Sequence, residues 1–469
     1  MNPSKIREFI EPIWDNSITP TLCEYIKIPN KSPAYDPDWQ QNGYTDKAVD
    51  LIVNWCKQQN VIGMQLQVHR AEDRTPLIMM EIAGQSDETI LLYGHLDKQP
   101  EMTGWNDDLG PWKPVLKNNR LYGRGSADDG YAAFAAITAI KTLQEQKIPH
   151  ARCVILIEAC EESGSRDLPY YIEELKTQIG SPNLVICLDS GCGNYKQFWT
   201  TTSLRGVMGG ILDIEILKEG VHSGAASGVV PSTFRILRQL LSRIEDENTG
   251  EILLPEFHVT IPQERIAEAE SAAEVLGDEV WQEYSWVEGA KPVPVSNAEK
   301  ILNRTWRPTL SITGAEGLPG LSFAGNVLRP RTAVMLSLRI PPTCDAEKAN
   351  HALKQVLESN PPFNAKISFE PEAVSVGWNA PAMQPWLIDA VNQASQNYYG
   401  KKALFWGEGG SIPFMGMLGK RFPQAQFVIT GVLGPQSNAH GPNEFLELSM
   451  AKNVTCCIAE IVAKHYKKG

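Results

Sequence analysis

The chain has 469 residues, enough for two or three domains around a sizeable core. At 42 % hydrophobic and 21 % charged residues, it is a globular sequence rather than a disordered or fibrous one. Its formal charge of −12 argues against nucleic acid or an anionic membrane as the main partner.

The opening "MNPSKIREFIEPIWDNSITP" holds no apolar stretch of signal-peptide type, and no later apolar run is long enough to span a bilayer. Nine cysteines (Cys23, Cys56, Cys153, Cys160, Cys187, Cys192, Cys344, Cys456 and Cys457) include no C-x-x-C pair. They read as reduced core thiols, and the chain as a cytoplasmic protein.

Along the first part of the chain, "PLIMMEI" and "TILLYG" predict strands and "GYAAFAAITAIKTLQEQ" a helix. "CVILIEA" predicts the next strand, "DLPYYIEELKTQI" a helix and "NLVICLD" another strand. Continuous apolar runs of this kind suit strands covered on both faces, hence an α/β domain with a mostly parallel sheet. After "TTSLRG" the pattern changes. "ILDIEILKEG" and "VMLSLRIPP" alternate apolar and polar residues, and "PSTFRILRQLLSRI" and "DAEKANHALKQVLES" read as helices. This is the pattern of a small α+β layer with one wet sheet face. An acidic Ala/Glu-rich stretch from about Gln263 to Ala290 reads as a helical insertion within it. From about Gly377 the α/β character returns with helix "QPWLIDAVNQASQNYYG" and strand "QFVIT". The expected organisation is a catalytic domain in two parts, 1–204 and 377–469, interrupted by a smaller domain at 205–376.

Chemistry collects at the strand ends. His95 and Asp97 follow "ILLYG", Glu161 and Glu162 follow "VILIEAC", Asp189 follows "LVICL", and His440 lies beyond "QFVIT". "GRGSADDG" adds Asp128 and Asp129 ahead of a helix. Singly, each has a plainer reading: a buried histidine, a helix cap, a solvated turn. Jointly, ligands of open α/β sheets gather beyond the carboxyl ends of strands, and so do these side chains. Two imidazoles and four or five carboxylates exceed what one tetrahedral ion takes. They suit two ions about 3.5–4 Å apart with a shared carboxylate, zinc first and manganese second. No G-x-S-x-G elbow surrounds Ser223 or Ser411, and "GRGSADDG" lacks the lysine of a phosphate loop.

The stretches "YGHLDKQP", "RLYGRGSADDG", "EACEESGS", "LDSG", "VHSGAASG", "LSLRIPP", "GEGGSIP" and "SNAHGPNE" resemble a family of dinuclear metallopeptidases. That family includes aminoacylase, folate-cleaving carboxypeptidases and carnosinase-like cytosolic nonspecific dipeptidases, and the last branch is the most similar. The resemblance implies a ferredoxin-like inserted domain that serves as lid and homodimer interface. It implies one metal on His95 and Asp189, a second on Glu162 and His440, and Asp128 bridging. Asp97 matches the aspartate that orients the first histidine, and Glu161 the general base. His222 matches the histidine that stabilises the oxyanion, supplied in the dipeptidase branch by the partner subunit. Arg339 and Ser411 match groups that hold the substrate's terminal carboxylate. Asn326 lies where the family has a polar lid residue, though the proline of "NVLRP" follows one position later than usual. The implied activity is hydrolysis of dipeptides or short peptides with a free C-terminal carboxylate. The alternatives are an N-acyl amino acid deacylase or carboxypeptidase on the same scaffold and, more remotely, a non-catalytic metal-binding scaffold.

Overall fold

The apolar runs of the first part of the chain form strands buried on both faces. The structure is a computed structural model that describes residues 1–467, with Pro413 described by its backbone alone. The first six strands of the large sheet are β1 (Met64–His69), β2 (Leu77–Ile82), β3 (Thr89–His95), β4 (Arg152–Glu158), β5 (Leu184–Cys187) and β6 (Trp199–Leu204). Ile90 and Leu92 of β3 and Ile155 and Ile157 of β4 enter one core, which includes Phe134 and Ile137 of helix α1 (Ala132–Glu145). The alternate residues Leu91, Tyr93, Val154 and Leu156 enter a second core on the opposite face, with Leu168 and Ile172. Each such side chain, once buried, contributes about 1.5–3 kcal/mol.

The smaller sheet comprises β7 (Gly206–Glu215), β8 (Thr309–Glu316), β9 (Arg331–Ile340) and β10 (Lys366–Pro371). Its spatial order is β8-β9-β7-β10 and every pairing is antiparallel. Helices α2 (Thr233–Leu241) and α5 (Ala346–Glu358) cover one face, and their Ile236, Leu240, Leu353 and Leu357 pack on Leu212, Leu336 and Phe369. This is the strand–helix–strand twice over of a ferredoxin-like layer. Ile211 and Ile312 remain 38 % and 47 % exposed, so the alternation in sequence marks one wet face as expected. Between these elements, α3 (Gln263–Leu276) and α4 (Asn297–Thr305) turn elsewhere: Ala269, Ala272, Ile301 and Leu302 join the core of the large sheet.

The chain then returns through β11 (Trp378–Asn379), α6 (Pro385–Tyr399), β12 (Leu404–Glu408), β13 (Gln426–Ile429) and the C-terminal helix α7 (Leu448–Tyr466). The completed large sheet runs β1-β2-β4-β3-β5-β13-β6-β11, with β12 pairing β6. Its central strands β4, β3, β5 and β13 are parallel, while β1, β2 and β11 add antiparallel pairings at the edges. The carboxyl ends of those four central strands therefore open on one side. No helix among the described residues is long and apolar enough to cross a membrane.

Candidate metal centre

β3 can end against the "GRGSADDG" loop only because residue 94 is glycine. A Cβ there would lie 2.6 Å from Asp129 Oδ2 and would overlap Ala132. The His95 backbone N–H donates to Asp129 Oδ2 at 3.2 Å, which ties the strand end to the loop. The Asp128–Asp129 peptide is cis. Neither aspartate caps α1, whose N-cap is Tyr131 without a side-chain hydrogen bond.

Seven predicted residues meet in one crevice. His95 Nε2 lies 3.2 Å from Asp128 Oδ1 and 3.8 Å from Asp189 Oδ2. Its Nδ1 faces Asp97, 3.1 Å from the carbonyl oxygen and 3.5 Å from Oδ1. His440 Nε2 lies 3.0 Å from Asp128 Oδ2 and 3.3 Å from Glu162 Oε2. Asp128 thus offers one carboxylate oxygen to each imidazole. Ligand atoms of His95, Glu161 and Asp189 lie within 4.8 Å of one another, as do those of His95, Asp128 and Glu162. Asp97 does more than face the histidine: its two oxygens accept the backbone N–H groups of Glu161 and Glu162.

The electrostatics are those of a crowded, buried anionic site. Burial and the charge of Asp189 push Glu161 well above the usual carboxylate range. Burial and Asp128 push Glu162 up to about 8. Burial also opposes ionisation of Asp128, but hydrogen bonds from His440 and His95 outweigh it and hold that carboxylate below its ordinary range. His440 keeps 56 % of its side chain accessible. Burial of its inner edge lowers its pKa, yet the Asp128 hydrogen bond and the Glu162 charge outweigh that and raise it to about 9. Glu162 Oε1 is buried without a hydrogen-bond partner among the described residues. Uncompensated carboxylates with imidazoles between them fit divalent cations, which would neutralise what the protein leaves unpaired.

The remaining predicted residues lie on the small domain or beside it. His222 pairs with Val327 in a short antiparallel ribbon, and the Ser223 N–H donates to the Asn326 carbonyl at 2.9 Å. His222 and Asn326 are thereby neighbours. Among the described residues, no hydrogen bond or ion pair joins either to the metal-ligand cluster. Arg339 is half-buried on β9, in register with Thr309 and Val207. Burial is the one resolved influence on its pKa, which it lowers; no carboxylate offsets it. Arg205 connects this edge to the "GEGGS" loop: it donates to Thr309 Oγ1 at 3.2 Å and to the Gly409 carbonyl at 3.3 Å. Ser411 is half-buried two residues further on, just ahead of helix Pro413–Arg421.

Two polar approaches, one of them at the site, are not legible in the sequence. Gln99 donates its amide to Glu162 Oε2, and its place in "HLDKQP" was the available signal. Glu408 is a carboxylate set against Gly191, close enough that any Cβ at 191 would collide with it. Sequence spacing carries no sign of that approach.

The family model described as Peptidase family M20/M25/M40 matches residues 91–464. The chain belongs to that family. It is a metallopeptidase of the M20 type, metal-dependent like the rest of the family. It is 25 % identical to the cysteinylglycine-S-conjugate dipeptidase of Corynebacterium striatum, over 87 % of this chain and 88 % of that one. It is 27 % identical to the Cys-Gly metallodipeptidase dug1 of Schizosaccharomyces pombe, over 77 % of each chain. Human carnosine dipeptidase 1 superposes with a TM-score of 0.79 at 20 % identity, covering 99 % of both chains. That likeness shows a shared fold.

Proposed function

We propose that this M20 metallopeptidase is a dipeptidase, hydrolysing dipeptides or short peptides that end in a free carboxylate. The observation that carries the reading is Asp128, with one oxygen toward each of two imidazoles, and Glu161 half-buried beside His95. The dipeptidase names of the relatives point the same way. His95 and Asp189 would hold one divalent ion and Glu162 and His440 the other, with Asp128 between; zinc suits this donor set best and manganese next. When bound, such ions polarise the scissile carbonyl and lower the pKa of the attacking water.

The chain's own residues supply the rest. Glu161 takes a proton from the water as its oxygen bonds to the carbonyl carbon. As the C–N bond breaks, Glu161 passes that proton to the leaving nitrogen, which departs as the amine of the second product. Asp97 fixes Glu161 through its backbone N–H. Arg339, which has no carboxylate partner among the described residues, offers its guanidinium fork to the terminal carboxylate, and Ser411 its hydroxyl. His222 donates to the developing oxyanion, and Asn326, its neighbour, to the substrate.

In this reading residues 205–376 form a lid inserted between catalytic parts 1–204 and 377–469, and two lids join a homodimer. Val229, Leu321 and Phe323, exposed at 84 %, 96 % and 83 %, supply apolar surface near His222. Donation of His222 to the partner's site accounts for its lack of bonds to its own metal ligands. Nine free cysteines, most of them buried, support a cytoplasmic setting.

Parallel assays of the metal-loaded protein on an X-Gly dipeptide and its N-acetylated form test the substrate class. Cleavage of the dipeptide alone is expected. Preference for the acetylated form would make the protein a deacylase, and cleavage of neither would leave a scaffold.

A further inference from the structure

A buried ion pair, Arg124 with Glu444, lies behind the crevice and is used by none of the chemistry above. The two residues are 1 % and 0 % exposed. Arg124 Nη1 donates to Glu444 Oε2 at 2.8 Å, Nη2 to the Gly441 carbonyl at 2.7 Å and Nε to the Pro100 carbonyl at 3.1 Å. Glu444 Oε2 also accepts the Gly125 N–H at 3.1 Å. Its Oε1 accepts the N–H groups of Ala127 and Asp128, at 3.2 and 3.3 Å.

These contacts tie together three segments distant in sequence: the end of "HLDKQP", the loop that carries Asp128, and the loop that carries His440. Gly441 is bonded to His440, and the Asp128 N–H is itself one of the groups held. An apolar pair of similar volume would fill the space but leave those buried backbone groups without partners. It could not hold three backbone N–H groups and two carbonyls in register.

We propose that Arg124 and Glu444 are positioning residues: they set the Asp128–His440 separation and so the affinity of the metal position those two ligands share. The proposal rests on the dinuclear reading given above. Asp128 lies between both positions, but Asp189 receives no contact from the pair while the His440 loop is held by it directly. The larger effect therefore falls on the Glu162–His440 position, and the His95–Asp189 position weakens less when the pair is broken.

The test is calorimetric titration of the metal-free protein with Zn²⁺, wild type against Glu444→Gln. Gln keeps the shape but turns an amide NH2 toward backbone donors. One ion is expected to bind about 10–100-fold more weakly, the usual cost of losing an outer-shell partner, and the other to weaken by much less. Should Glu444→Gln not fold, Arg124→Lys replaces it, because a compact ammonium cannot reach Glu444, Gly441 and Pro100 together. A folded variant that binds both ions as wild type does, or loses both equally, overturns the proposal. So does failure of both variants to fold, which would make the pair a fold determinant. Fewer than two ions on the wild-type protein would overturn the dinuclear reading itself, and the clamp with it.

Discussion

Asp97 Oδ1 accepts the backbone N–H of Glu161 at 3.1 Å, while its other oxygen accepts that of Glu162 at 3.0 Å. A carboxylate at the end of β3 thus fixes the turn at the end of β4 that carries both the proposed base and a proposed metal ligand. Asp97→Asn presents an amide NH2 to one of those donors, and an unsatisfied buried group costs about 1–3 kcal/mol. The turn loosens, and kcat is expected to fall about 10–100-fold. Steady-state kinetics on this variant checks it; an unchanged kcat would show that Asp97 positions nothing the reaction needs.

The metal-free protein should lose stability as pH rises. Burial and Asp128 raise Glu162 to about 8; against burial, Asp128 and Glu162 raise His440 to about 9. In an unfolded chain these groups titrate at about 4.3 and about 6.5. Between those limits the folded state binds more protons than the unfolded one, so stability falls with rising pH. Thermal unfolding of chelated protein should give a lower midpoint at about pH 9 than at about pH 6. Metal loading deprotonates the same ligands and should abolish that trend. A chelated protein more stable at the higher pH would contradict these shifts.

Subunit mixing tests donation of His222 across a dimer. His222→Ala and Glu161→Gln homodimers should each be nearly inactive. In a heterodimer the chain with intact Glu161 receives intact His222, so one site of two works. Random re-pairing makes about half the dimers mixed, and about a quarter of wild-type activity should return. Demonstrated exchange without recovered activity would place His222 outside the partner's site.

Much of this architecture is legible in sequence where burial leaves a simple pattern. β3, β4 and β5 are buried on both faces, so "ILLY", "VILI" and "LVIC" stand out as continuous apolar runs. Helix α7 does not stand out, because it is buried nearly all round and shows no amphipathic period. The Gln263–Ala290 stretch is helical over Gln263–Leu276 and Glu279–Gln282 and irregular beyond, and composition could not show that α3 packs on the large sheet. The reactive side chains were legible because imidazoles and carboxylates recur at strand ends. Gln99 and the Arg124–Glu444 pair were not, since each meets its partners through an approach between segments that only the tertiary fold creates.

The proposed reaction requires that His95, Asp128, Glu162, Asp189 and His440 hold two divalent ions beside Glu161 as the base. Elemental analysis of active protein, paired with the Glu161→Gln variant, measures it most directly. Two ions per chain are predicted in both proteins, with turnover in Glu161→Gln lower by about 10²–10⁴. One ion or none in the active protein, or wild-type turnover in Glu161→Gln, would contradict it.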